Sequence, residues 1–105
     1  MSYRRIDVYV PETHVEAVKD AMFAAGAGVL GGYDRCCFQT VGRGQFRPLS
    51  GANPFLGAVG REEQVTEWKL EMICPEKDIR AVVAALRAAH PYETPAFQHW
   101  RVEID

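Results

Sequence analysis

No run in the 105 residues approaches the roughly 18 consecutive apolar side chains of a membrane-spanning helix, so no span is expected. A positive charge excess is missing too. Twelve Lys and Arg stand against fourteen Asp and Glu, a net charge of −2, whereas a general nucleic-acid binder is usually basic. Cysteine is sparse and odd in number: Cys36, Cys37 and Cys74 are the three, and adjacent Cys36 and Cys37 would point to opposite faces of a strand. A reduced, cytoplasmic protein is therefore the simplest expectation. Met1-Ser2-Tyr3-Arg4-Arg5 lacks the apolar core of a secretory leader and runs straight into a charged segment. The nine glycines fall in neither P-loop nor dinucleotide-binding spacing, so no nucleotide cofactor follows from them.

What is present fits one globular domain spanning residues 1–105, with 48% apolar and 25% charged side chains. Ile6, Val8 and Val10 alternate with Asp7 and Tyr9, the period of a half-buried strand closed by Pro11. Thr13 and Glu16 have the spacing of a capping box, and Val15, Val18, Met22 and Ala25 make one helical face before Gly26 stops it. A second strand is expected over Arg35–Val41, then a long loop over Gly42–Gly60 without periodicity. From Glu63, Thr66, Trp68, Leu70 and Met72 alternate with Glu67, Lys69 and Glu71, giving a long strand ended by Pro75. Ile79, Val82, Val83 and Leu86 form the stripe of a second helix.

The helix should end at His90, because Pro91 lacks an N–H and drives its predecessor out of the α region. His90-Pro91-Tyr92-Glu93-Thr94-Pro95 is then a stiff corner leading into a last strand over Ala96–Ile104. That strand is expected to put Ala96, Trp100, Val102 and Ile104 on the helix-covered face and His99, Arg101 and Glu103 on the open one. The order β-α-β-β-α-β predicts an α+β, ferredoxin-like domain: a four-stranded antiparallel sheet, two helices on one face, and a long loop between strands 2 and 3. The opposite sheet face has nothing left to cover it. Homo-oligomerisation would solve that.

Three ordered motifs carry a resemblance over essentially the whole chain. Gly42-Arg43-Gly44-Gln45-Phe46-Arg47-Pro48, Gly51-Ala52-Asn53-Pro54-Phe55-Leu56-Gly57 and the corner His90–Pro95 resemble the domain inserted in the larger YqfO-like (Nif-three-like) proteins. The corner alone also resembles the end of CutA proteins. That inserted domain is similar in fold to CutA and PII signalling proteins, which implies subunits that form trimers. It also implies that residues 42–60 occupy the place of the regulatory, partner-contacting loop of PII proteins. Full-length members of the family are often labelled GTP-cyclohydrolase-type-two-like, and their two-metal site lies in a flanking domain. Three histidines cannot supply those ligand motifs, so no enzymatic activity is expected to carry over.

The expected function is thus a PII/CutA-like binding or regulatory module that self-associates, as a trimer or alternatively a dimer. Between Arg35 and Arg61 there are four arginines and no acid. Glycine-rich backbone beside arginine suits an anion, so Arg43, Gly44, Phe46, Arg47, Asn53 and Phe55 are candidate contacts for an anionic small molecule or a protein partner. The competing reading is that the loop aromatics simply pack. His90, Glu93 and His99 are candidate ligands for a divalent zinc or copper ion, the one cofactor the residues suggest, though their spacing matches no standard motif. A purely structural oligomerisation domain is the remaining alternative.

Overall fold

The computed structural model describes residues 2–105. Strand β1 (Tyr3–Pro11) leads through a single 3-10 turn into helix α1 (Val15–Ala24). Strands β2 (Phe38–Phe46) and β3 (Glu63–Pro75) form a long hairpin, a second 3-10 turn enters helix α2 (Ile79–Ala89), and β4 (Phe97–Val102) completes the sheet. Its order is β2-β3-β1-β4, with every neighbouring pair antiparallel.

The apolar alternation decides which face is covered. Ile6, Val8 and Val10 of β1 and Leu70, Met72 and Cys74 of β3 are buried against Val15, Val18 and Met22 of α1 and Ile79, Val82 and Leu86 of α2. Burying each large aliphatic side chain contributes on the order of 1.5–3 kcal/mol. The reverse face carries Arg5, Asp7, Lys69 and Glu71, and among the described residues no helix packs over it. Asp7 is buried there to 4% exposure, its carboxylate reached by Arg5 at 3.3 Å and Lys69 at 3.5 Å.

Three local expectations are corrected. The capping box does not form: α1 is preceded by the 3-10 turn Glu12–His14 with no side-chain cap, and the Thr13 hydroxyl bonds His14 Nδ1 at 2.8 Å instead. Strand β2 starts later than expected, at Phe38, and continues through Gly42, Arg43 and Gly44 to Phe46. Backbone pairing with Glu63–Glu71 carries it on where the side-chain pattern lapses, because both faces near the hairpin end are largely solvated. The loop proper is therefore residues 47–62.

The third correction is the phase of β4. Val8 pairs with Phe97 and Ile6 with His99, so Phe97, His99 and Arg101 lie on the helix-covered side. Trp100 and Val102 lie on the open side, opposite Arg5 and Tyr3. At this edge strand the inner position is only half-buried, and neither phase is marked by a clean run of apolar residues.

Candidate ligand-binding site

The corner after α2 is built as its prolines require. Helix α2 ends at Ala89, and His90 adopts φ −75° and ψ 135°, the extended geometry that a following proline imposes. Its ring then turns inward. Nε2 lies 2.7 Å from the Tyr9 carbonyl and must donate to it, while Nδ1 accepts the Tyr92 N–H at 3.2 Å. His90 is thus the neutral Nε2–H tautomer, and burial holds its pKa below the ordinary value.

Tyr92 follows and stands at the centre of an aromatic group. Its ring lies 4.9 Å from His90, 6.0 Å from Phe46 and 6.3 Å from Phe55, all tilted. Its hydroxyl donates to Glu67 Oε2 at 3.0 Å. Burial, together with that carboxylate, pushes the phenol well above its usual range and keeps it a donor. Glu67 has room to lie there because Gly44 has no side chain: a Cβ at Gly44 would fall on the Glu67 carboxyl group.

The loop is folded onto this corner. Turns tie Ala52 N–H to Leu49 O at 3.0 Å and Gly60 N–H to Pro48 O at 2.8 Å, and Gly51 and Gly57 take positive φ values of 94° and 88°. Glu93 then latches the loop to the corner by accepting the Asn53 backbone N–H, at 3.0 Å to Oε2 and 3.2 Å to Oε1. Phe55 packs edge-on against His14 at 5.4 Å. Between loop, corner and the end of β2 lies a cavity of about 260 Å³, walled by Tyr9, Phe46, Phe55, Leu56 and Tyr92, with Glu67, Glu93 and Arg47 as its charged lining.

The candidate residues divide accordingly. Phe46, Arg47 and Phe55 line the cavity, Gly44 underlies Glu67, and Asn53 contributes its backbone rather than its side chain. Arg43 pairs with Thr66 and lies on the other face of the hairpin. Arg35, in the left-handed region at φ 55°, bonds Asp20 at 2.7 Å and lies over the Phe23 ring. The arginine-rich segment is therefore dispersed, with Arg47 its contribution to the cavity.

The grouping of His90, Glu93 and His99 is not assembled. Both His90 nitrogens are occupied, Glu93 holds Asn53, and His99 lies 3.1 Å from Arg4 on the helix-covered side. Among the described residues no group of three or more His, Cys, Asp or Glu is placed to hold a metal ion. Sequence reasoning passed over Glu67, His14 and Tyr9. Glu67 looked like one more charge on a solvated face, and only the missing Cβ of Gly44 in a facing strand could have marked it.

A four-stranded antiparallel sheet backed by two helices, with a corner and a folded hairpin loop at one end, defines a ferredoxin-like domain of the CutA and PII kind. No protein-family model matches the chain. Over 90 residues it is 48% identical to the GTP cyclohydrolase 1 type 2 homolog of Mycobacterium leprae, covering 86% of this chain and 23% of that protein. The homolog of the same name in Bacillus subtilis is 43% identical over 100 residues, covering 95% of this chain and 27% of that protein. The chain spans about a quarter of the length of these curated relatives.

Among solved structures, a Bacillus cereus protein related to NIF3 superposes with a TM-score of 0.84 at 36% identity, over 98% of this chain and 26% of that one. The periplasmic divalent cation tolerance protein CutA from Archaeoglobus fulgidus gives 0.67 at 16% identity, over 98% of this chain and 86% of that one. The GlnK–ATP complex of B. subtilis gives 0.64 at 7% identity, over 96% and 82% of the respective chains. The last two share the fold alone. The chain is thus similar to one segment of NIF3-related proteins and has the fold of CutA and GlnK. Among the described residues no helix is long and apolar enough to cross a membrane.

Proposed function

We propose that the chain is a small binding module that self-associates and recognises its ligand in the cavity between the loop and the corner. One observation carries this reading. Glu93 and Tyr92 of the corner close on Asn53, Phe55 and Phe46, so all three sequence motifs, the last about 40 residues beyond the others, build one site. Phe46 and Phe55 each pack against Tyr92, and beside that packed group about 260 Å³ is left open. A rigid sheet presenting a folded loop is a common way to carry a binding site.

Self-association belongs to the same reading. Phe38 on the β2 edge is 69% exposed and Trp100 on the β4 edge 43%, both on the uncovered face of the sheet. Unpaired edges flanked by exposed aromatics suit pairing with further copies of the chain. The assembly is proposed as a trimer, with a dimer as the alternative. A reducing, cytoplasmic setting is proposed with it, in keeping with free thiols at Cys36, Cys37 and Cys74. Native mass spectrometry tests assembly and retention together. Masses at multiples of 11.8 kDa are expected, and a spectrum of monomer alone at micromolar concentration contradicts self-association.

A further inference from the structure

The charge inside the cavity points to the class of ligand. On the open face of the sheet, Asp7 and Glu71 are both paired with Arg5 and Lys69. Glu67 lies on the same face and strand, is half-buried, and makes no ion pair among the described residues. Its one polar partner among the described residues is the Tyr92 hydroxyl. A carboxylate taken partly out of water without a cation loses hydration that the phenol alone does not restore.

The walls add to the same field. Phe46, Phe55 and Tyr92 present aromatic rings around the space, and the face of an aromatic ring attracts cations. Glu93 adds a second carboxylate at the rim. Against these stands Arg47; it and Glu93 are both exposed, so water largely screens those two charges and half-buried Glu67 dominates the field. The lining therefore sums to one net negative charge, with its most buried member negative. The cavity, about 260 Å³ and open on one side, is of a size for a small molecule.

Resting on the reading of this cavity as the recognition site, we infer that its ligand is a small organic ammonium cation with an apolar or aromatic body. The ammonium group sits on Glu67 and the body lies against the packed group of Phe46, Phe55 and Tyr92. Gly44 is then a specificity-determining position, because it keeps open the space in which the Glu67 carboxylate is held.

Three probes with the same ring and different charge decide this: benzylammonium, benzyl alcohol and benzoate, each titrated into the ¹⁵N-labelled full chain at pH 7. The expected result is saturable shifts of the Tyr92, Phe55 and Glu67 amides, with benzylammonium bound at least tenfold more tightly than benzyl alcohol. Glu67→Gln should erase that preference while keeping the shape of the site. Gly44→Ala should weaken benzylammonium as strongly while leaving the thermal midpoint near that of the parent, since the displaced group is the far end of a flexible side chain.

Equal binding of benzylammonium and the alcohol, or tighter binding of benzoate, overturns the cationic assignment while leaving the cavity a binding site. A preference for benzylammonium that survives in a folded Glu67→Gln protein also overturns it. Failure of all three probes to move the cavity amides counts against both the assignment and the site.

Discussion

A buried imidazole has two nitrogens to satisfy, and at His90 both are satisfied by backbone groups, the Tyr9 carbonyl and the Tyr92 N–H. That arrangement fixes the neutral ring, and burial lowers the pKa from 6.5. In the unfolded chain the ring takes up its proton near 6.5, in the folded one only at lower pH. Between those values the unfolded state binds more protons, so stability falls as pH drops below about 6.5. His99 is shifted in the same direction by desolvation and by Arg4 and Arg80, so a stability curve mixes the two rings. A ¹⁵N–¹H histidine spectrum separates them. His90 is expected to keep its Nε2–H tautomer below pH 6.5, and a ring that protonates at or above 6.5 contradicts the burial seen here. The residue type was legible in the sequence, but its role was not. The acceptor is a main-chain carbonyl 81 positions away, and no side-chain pattern encodes it.

At the scale of elements, helices and their C-terminal stops were easiest to read, and the start of α1 was hardest. The stripes Val15-Val18-Met22 and Ile79-Val82-Leu86 are buried as their period requires. Strand β2 was legible only as far as its apolar alternation, since beyond Val41 main-chain pairing alone extends it. The end of α1 was marked by Gly26, and the structure gives the reason. Gly26 has φ 120°, its N–H bonds Phe23 O at 3.1 Å and the Ala27 N–H bonds Met22 O at 3.0 Å, a Schellman closure. A Cβ there would also approach the Asp78 carboxyl group at 2.9 Å, where α2 begins. Gly26→Ala is thus expected to destabilise the fold by about 1–3 kcal/mol, from the left-handed backbone and the crowding together. Denaturant midpoints measure this, and coincident curves would rule out the cap as a structural constraint.

For the molecule as a whole, elongation matters most. The Cα radius of gyration is 14.6 Å with a long axis of 46 Å, against about 13 Å for a compact chain of this length. The excess comes with a long β2–β3 hairpin, which lengthens the exposed edge available for pairing. The topology was legible because each element declared its period. The cavity was not, because it depends on the loop folding back onto a corner about 40 residues later, and glycine- and proline-rich sequence has no period to read. Its motifs were visible separately, in Phe46, Asn53 and Phe55 on one side and His90 and Glu93 on the other. Their meeting rests on the contact between the Glu93 carboxylate and the Asn53 N–H.

Amide hydrogen exchange at Asn53 measures that contact directly. With the loop latched, the Asn53 amide should exchange slowly in the parent protein, and Glu93→Ala should return it to the rate of an open loop while Leu70 and Val82 in the core stay protected. Free exchange at Asn53 in the parent protein, or unchanged protection in Glu93→Ala, would contradict a cavity preformed by loop and corner.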